Sequence, residues 1–356
     1  MIETILAVLG TVGFIVDAKS DFDKWTAAPS PSQVQVMREN YTRMVAYSPY
    51  FDGRLAWYPN AWVYQDSMAI IPEWPVYREH PEWVLRDDAG RELYVDFACR
   101  DGRCPQLAAD IGNPAYRAWW INKARDLIKQ AGYRGIWVDD VNLEWRISNG
   151  NGVRTIPADP RTGHKMQLSD WRRYFAEFME ELRAALPNVE IAHNSIWYAK
   201  HDEFVARQIK ASDFINIERG ASDPGITDGD GPFGFAAFVS FVDRVHAMGR
   251  SVIIDDDDDR GVQQRDYDLA FYLLTKSGRD LLSADGDRAR MNPDAFWPGY
   301  RLNLGKARGA YYRSGKSLRR DFECGHVVVN PPPRATGTIV NRDCDQPSPP
   351  RIISVK

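Results

Sequence analysis

From Thr11 to about Leu304 one rhythm repeats along the chain. A short apolar run ends in polar or acidic residues, a helix-length amphipathic segment follows, and another apolar run begins. Such alternation predicts a parallel sheet covered by helices. The candidate strands are "GFIVDA" near residue 13, "GRLAWYP" near 53, "LAADIG" near 107, "GIWVDD" near 135, "VEIAHN" near 189, "DFINIE" near 213, "SVIIDD" near 251 and "DLLSAD" near 280. Eight strands in about 290 residues fit a (β/α)8 barrel, whose usual size is about 250 residues before insertions. An open doubly wound sheet is the competing arrangement. It usually carries a Gly-rich phosphate loop after its first strand, and "GFIVDAKSDF" has none.

The segments between the strands read as helices. "NPAYRAWWINKARDLIKQAGY" opens with Asn-Pro, a cap and first-turn pair, and ends at Gly132. "LSDWRRYFAEFMEELRAALP" has apolar residues at helical spacing and stops at Pro187. "GFAAFVSFVDRVHAMG" and "RDYDLAFYLLTKSG" each end at a glycine. Residues 59–106 break the rhythm. That stretch is rich in Trp, Pro and Tyr, and long loops inside a compact fold are usually functional. It is expected to form an elaborated segment over the barrel mouth, with Trp62 and Trp74 on the cleft side. After residue 310 the sequence alternates, carries turn residues and has no helix-length segment. The expected organisation is therefore a barrel over residues 11–310 and a small β appendage over 311–356.

Composition narrows the function. The formal net charge of −4 does not suit a phosphate backbone, which calls for a basic surface, so nucleic acid is not an expected partner. No run approaches the roughly 20 apolar residues of a membrane-spanning helix. The N-terminus is apolar but lacks a basic leading region, so it reads as a buried strand near residues 11–17 and not as an obvious signal peptide. The 12 Trp and 16 Tyr are enough both for a large core and for flat faces on which pyranose rings stack. Four cysteines fall into two local pairs, Cys99 with Cys104 around an Asp-Gly turn and Cys324 with Cys344. Two disulfides would suit an oxidising, extracellular setting, and free thiols are the other reading of the same four residues. The spacing fits no zinc site.

In a barrel, the C-terminal ends of the strands share one face, and active sites lie there. On the strands as read, those ends carry Asp17, Trp57 and Tyr58, Asp110, Asp139 and Asp140, His193 and Asn194, Glu218, Asp255 to Asp257, and Ser283 with Asp285. A ring of carboxylates with aromatics suits glycoside hydrolysis, in which one carboxyl donates a proton and another acts as nucleophile or base. Asp139 follows the most apolar strand, and Glu218 closes another. Adjacent strand residues point to opposite sides, so only one of Asp139 and Asp140 can face inward. The plainer readings are a helix cap at Asp139 or Asp140, a rim ion pair at Glu218, a hydrogen-bonded structural His193, and a solvated acidic loop at residues 255–259.

The stretches "HPEWVLRDDAGRELY" and "ADIGNPAYRAWWINKARDLIKQAGYRGIWVDDVN" resemble the glycoside hydrolase-like barrel families, best the group called hypothetical glycosyl hydrolase family 15 and more loosely the family 114-type polygalactosaminidases. The resemblance covers roughly residues 11–310 and is sharpest over 80–142. It implies a barrel with its key acid at the fourth strand, which falls on Asp139. It implies a second acid on a later strand, for which Glu218 is the best candidate by position. The expected activity is cleavage of a polysaccharide or oligosaccharide without a cofactor or metal. In that reading Asp139 is nucleophile or base and Glu218 the general acid. Trp57, Tyr58 and Trp62 stack on sugars, while Asp17, Asp110, Asp140, His193, Asn194 and Asp255 bind hydroxyls. Two rivals stand beside it. One is a catalytically inactive carbohydrate-binding barrel of a virion (phage tail) or cell-surface assembly. The other is a metal-dependent hydrolase whose acidic loop converges on His193.

Overall fold

The computed structural model describes residues 11–14, 21–101, 103–141, 144–194, 202–218, 220–222, 234–255, 262–283, 293, 296–342 and 351–353. The chain begins with β1 (Thr11–Phe14), α1 (Asp21–Thr26), α2 (Pro31–Asn40), β2 (Arg43–Ala46) and β3 (Ala61–Asp66). Next come β4 (Ala69–Ile70), α3 (Pro75–Glu79), β5 (Tyr94–Val95), β6 (Leu107–Ala108), α4 (Pro114–Ala131), β7 (Gly135–Asp139) and β8 (Ile147–Ser148). Then follow α5 (Leu168–Ala185), β9 (Glu190–Asn194), α6 (Glu203–Ala211), β10 (Phe214–Glu218), α7 (Phe235–Ala247), β11 (Ser251–Asp255), α8 (Val262–Thr275) and β12 (Leu281–Ser283). Five short strands close the sequence: β13 (Tyr312–Ser314), β14 (Ser317–Phe322), β15 (Gly325–Asn330), β16 (Thr336–Asn341) and β17 (Arg351–Ile353).

The fold is a (β/α)8 barrel with a C-terminal β-sheet; β1, β2, β3, β7, β9, β10, β11 and β12 are its barrel strands. Six of these match the runs expected from sequence, and two do not. "GRLAWYP" is the end of a 3-10 helix followed by turns. Arg54 pins it, donating to Tyr50 O at 2.7 Å and Thr26 Oγ1 at 2.9 Å and pairing with Asp23. The second barrel strand is instead "RMVA", whose four residues are too few to show periodicity. "LAADIG" is not a barrel strand either: its Leu107–Ala108 form β6 of an antiparallel sheet of order β4-β6-β5-β8. The third barrel strand is "AWVYQD".

Two compact units make up the chain, Met1–Val63 with Phe214–Lys356, and Tyr64–Asp213. In the first, β2, β1, β12, β11 and β10 pair in parallel in that order, and the start of β3 pairs with β2. Val252, Ile253 and Ile254 of β11 are fully buried, as continuous apolar parallel strands require. Trp62 is fully buried too, its ring 5.1 Å from that of Phe214. The antiparallel sheet β13 to β17 belongs to the same unit and packs on α8. A Cβ on Gly337 of β16 would lie 2.5 Å from the Ala270 Cβ of α8, so glycine is what permits the approach. Arg320 of β14 donates to the carbonyls of Leu273 (3.2 Å), Leu274 (3.1 Å) and Lys276 (2.7 Å), groups that the C-terminus of α8 leaves without helical partners.

In the second unit β7 and β9 pair in parallel with Val138 opposite His193. Asn113 caps α4 by accepting from Ala115 N and Tyr116 N, Pro114 fills the first turn, and Gly132 ends the helix at φ 89°. The buried Arg117 of α4 makes a two-pronged bond to Glu181 of α5, with both contacts at 2.9 Å. The elaborated segment is larger than residues 59–106. Its small antiparallel sheet runs from β4 to β8, so it spans two strand-to-helix connections, after β3 and after β7. Connections of that type lie on the catalytic face of a barrel. The Cys99–Cys104 disulfide is present in it. The expected Cys324–Cys344 pair includes Cys344, which lies outside the described residues.

Arg320→Ala strips three carbonyls of their donor and should cost about 1–3 kcal/mol in urea unfolding. Arg320→Lys, which keeps a cation at the helix C-terminus, should cost less.

Candidate active site

β7 ends in Asp139, and among the described residues three hydrogen bonds hold its carboxylate. Oδ1 accepts from the Asp140 amide at 2.7 Å and from Asn194 Nδ2 at 2.8 Å. Oδ2 accepts from the Tyr64 hydroxyl at 2.5 Å. Each donor comes from a different element. Tyr64 belongs to β3, with its ring stacked on Trp137 at 5.5 Å between centroids. Asn194 ends β9, where the register beside β7 brings it level with Asp139. Its Oδ1 accepts from Val141 N at 3.1 Å, which orients the amide so that its NH2 faces Asp139. Asp140 leaves the strand at φ 54°, a left-handed conformation that Asp tolerates better than most residues.

Asp66 ends β3 in the same unit. Its Oδ1 accepts from the amides of Met68 and Ala69, both at 2.8 Å. The turn that follows is tied down on both sides. Ser67 N donates to Asp139 O and Ser67 Oγ to Asp140 O, each at 3.0 Å. From α4, Trp120 Nε1 donates to Asp66 O at 2.8 Å and the Tyr116 hydroxyl to Ser67 O at 2.9 Å. Asp66, Asp139 and Asp140 thus form one cluster of carboxyls. Burial, and then the negative charges of Asp140 and Asp139, push the Asp66 carboxyl well above the usual range. Burial and the Asp140 charge raise Asp139 as well, against the Tyr64 and amide hydrogen bonds and the Arg146 charge, which act to lower it. Arg146 meets Asp140 Oδ1 at 3.2 Å.

In the other unit Glu218 ends β10 and is exposed. It lies in register with Asp255 at the end of β11, whose Oδ2 accepts from the buried Asn216 Nδ2 at 3.3 Å.

Several expected sugar-binding residues have other work. Trp62 is sealed in the core. Trp57 and Tyr58 lie in the turn that enters β3, at the end of that strand remote from Asp66. Tyr58 is fully buried and donates to Tyr41 O at 2.8 Å. Trp74 is part-exposed and carries the Lys123 ammonium 4.5 Å over its ring. Asp110 is buried, with both oxygens 3.0 Å from Arg161 Nη1 and Oδ1 also accepting from Gly112 N. His193 is fully buried, and alternation along β9 turns it away from its neighbour Asn194. Its ring nitrogens face the carbonyls of Asn194 and Gln208, and burial lowers its pKa to about 4. A neutral imidazole closed in by two carbonyls has no position for a metal or a sugar hydroxyl. Asp17, Asp285 and residues 256–259 lie outside the described residues.

Tyr64, Asp66 and Arg146 were not expected from sequence. The signal for the first two was present. "AWVYQD", like "GIWVD", is an apolar run that closes on an Asp.

The model of hypothetical glycosyl hydrolase family 15 matches residues 50–326. No curated protein matches the chain by sequence. Among solved structures, the noncanonic maltogenic α-amylase AmyB from Thermotoga neapolitana superposes with a TM-score of 0.53 at 11% identity, over 93% of this chain and 85% of that one. The α-galactosidase TtGalA from Thermus thermophilus gives 0.50 at 12% identity, over 88% and 65%. The glycoside hydrolase domain of PelA from Pseudomonas aeruginosa covers 77% of this chain and 94% of its own at 14% identity, with a TM-score of 0.45. The likeness to AmyB and TtGalA, at such identities, speaks to the barrel fold alone, whereas the family match spans most of the chain. The chain belongs to hypothetical glycosyl hydrolase family 15, and with that family to the glycoside hydrolases of (β/α)8-barrel fold.

Proposed function

We propose that this glycosidase cleaves a polysaccharide or oligosaccharide by a two-carboxylate mechanism, with Asp139 as nucleophile or water-activating base and Glu218 as general acid. The observation that carries the reading is the set of donors around Asp139. Three hydrogen bonds from three elements fix one carboxylate at the end of a barrel strand, as attack on an anomeric carbon or its water requires. Glu218 enters by position, as an exposed acid at the end of a later strand. A carbohydrate-binding barrel without turnover is the rival. It has no use for a carboxylate aligned this closely, and it would bind glycans without releasing product.

No helix among the described residues is long and apolar enough to cross a membrane. The Cys99–Cys104 disulfide supports an oxidising, extracellular place of action.

Kinetics on a responsive glycan test the assignment. Asp139→Asn should lose turnover by at least about a thousandfold while the protein still folds. Glu218→Gln should fall similarly on natural linkages but recover in part on aryl glycosides, whose leaving groups need little protonation. Near-native turnover by Asp139→Asn, with Asp140→Asn inactive, would reverse the assignment within the pair.

Tyr64→Phe removes a hydrogen bond that favours the ionised form of Asp139. The Asp139 carboxyl should then titrate at higher pH. The acid limb of kcat/KM, where Asp139 gains its charge, should move up with it. An unmoved limb would show that Tyr64 does not act on the working carboxylate.

Thiol titration of unfolded, unreduced protein from its natural source should find Cys99 and Cys104 blocked. Free thiols at both positions would rule out the oxidising compartment.

A further inference from the structure

Asp66 is a third carboxyl in this site, and nothing in the two-carboxylate scheme uses it. Its Oδ1 takes two backbone amides, which fix the side chain. Among the described residues, Oδ2 accepts no hydrogen bond. The charges that act on it are Asp139 from the end of β7 and Asp140 just beyond, while Tyr116 of α4 lies close enough to feel its charge. Arg146 is engaged with Asp140, and among the described residues no cation is bonded to Asp66. The turn accounts for one oxygen of Asp66, the one that its amides hold, and leaves the other without a structural partner among the described residues. Asp110 in the same unit illustrates the structural alternative, with an arginine on both oxygens.

We propose that Asp66 is a positioning residue for the substrate, its Oδ2 hydrogen-bonded to a hydroxyl of the sugar that Asp139 attacks. This rests on the reading of Asp139 given above. With Oδ1 locked by amides, Oδ2 is the one oxygen available, so the contact is directional. Burial and the two neighbouring carboxylates favour the protonated form, so Oδ2–H donates to the sugar hydroxyl. The sign of the pH effect follows. Below its raised pKa, Asp66 is neutral and donates. Above it, Asp66 is an anion beside Asp139, the donor is lost, and sugar affinity falls as pH rises.

The test uses the full chain and the 4-nitrophenyl glycoside that the wild-type protein hydrolyses fastest among hexosides and N-acetylhexosaminides. Asp66→Asn keeps an acceptor for the Met68 and Ala69 amides and a permanent N–H donor at the Oδ2 position. Its KM should match wild type at acid pH. The ratio of mutant to wild-type KM should then fall as pH rises, because only the wild type loses its donor. Asp66→Ala should raise KM about tenfold at acid pH, the loss expected for one hydrogen bond, with kcat changed far less. If Asp66→Ala does not fold, the pH dependence of the Asp66→Asn ratio decides alone. A flat ratio across the pH range, or an unchanged KM for folded Asp66→Ala, overturns the proposal. Asp139→Asn is run in parallel. If it stays active, the reading of Asp139 has failed. If it is inactive while both Asp66 variants overlay wild type, only the role of Asp66 has failed.

Discussion

The hydrogen bonds that converge on Asp139 are the constraint around which the second unit is arranged. A carboxylate kept partly out of water beside another carboxylate is costly unless donors replace the lost solvent. Here the donors are a tyrosine hydroxyl, an asparagine amide and a backbone N–H, contributed by β3, β9 and the residue after β7. Each therefore depends on correct strand register. A one-residue slip of β9 would exchange Asn194 for His193 and put an imidazole where an amide donor is needed. The Gln208 carbonyl of α6, 3.4 Å from His193 Nε2 on the other side of β9, opposes that slip.

The surrounding framework is stiff where the site needs it. α4 reaches the turn after β3 through Trp120 and Tyr116, and that turn reaches the end of β7 through Ser67. The capped start of α4 and its Arg117–Glu181 link to α5 hold the helix that makes these contacts. The cost falls on the carboxyls. Asp66 and Asp139 both titrate above the ordinary range. A raised carboxyl pKa means that stability falls as pH climbs past the unfolded value, until the folded group has ionised as well. At neutral pH the cluster therefore weakens the fold, a cost that is common where residues are kept for reactivity and not for packing.

How much of this could be read from sequence varied with the kind of signal. Long helices with caps were legible: Asn113-Pro114 and Gly132 bracket α4 as they should. So were apolar strands that end in acids, and Asp139 stood out for that reason. Short strands failed. β2 has four residues, and the more conspicuous "GRLAWYP" drew the assignment although Arg54 folds it into a turn. With "GRLAWYP" taken as the second strand, the third falls on "LAADIG", which points to Asp110 and away from Tyr64 and Asp66 of β3. Aromatic richness misled for another reason. A sequence cannot distinguish a tryptophan that faces a sugar from one that fills a core, and Trp62, Trp137 and Trp171 are all buried. The antiparallel sheet was hidden because its two-residue strands carry no period.

The orientation of Asn194 assigns different tasks to the two oxygens of Asp139. Val141 N can bond only to an acceptor, so the carbonyl oxygen of Asn194 faces it and the NH2 group must face Asp139. Oδ1 therefore receives two donors, the amide of Asn194 and the backbone N–H of Asp140, and neither can turn away without breaking a second bond or the chain path. Two fixed donors occupy both lone-pair directions of that oxygen. Among the described residues Oδ2 has a single partner, a phenolic hydroxyl that rotates about its C–O bond. If Asp139 attacks the sugar or a water, it does so through Oδ2. The Tyr64 hydroxyl is then the group that swings from the carboxylate as the new bond forms, while Oδ1 stays anchored and keeps the carboxylate aimed.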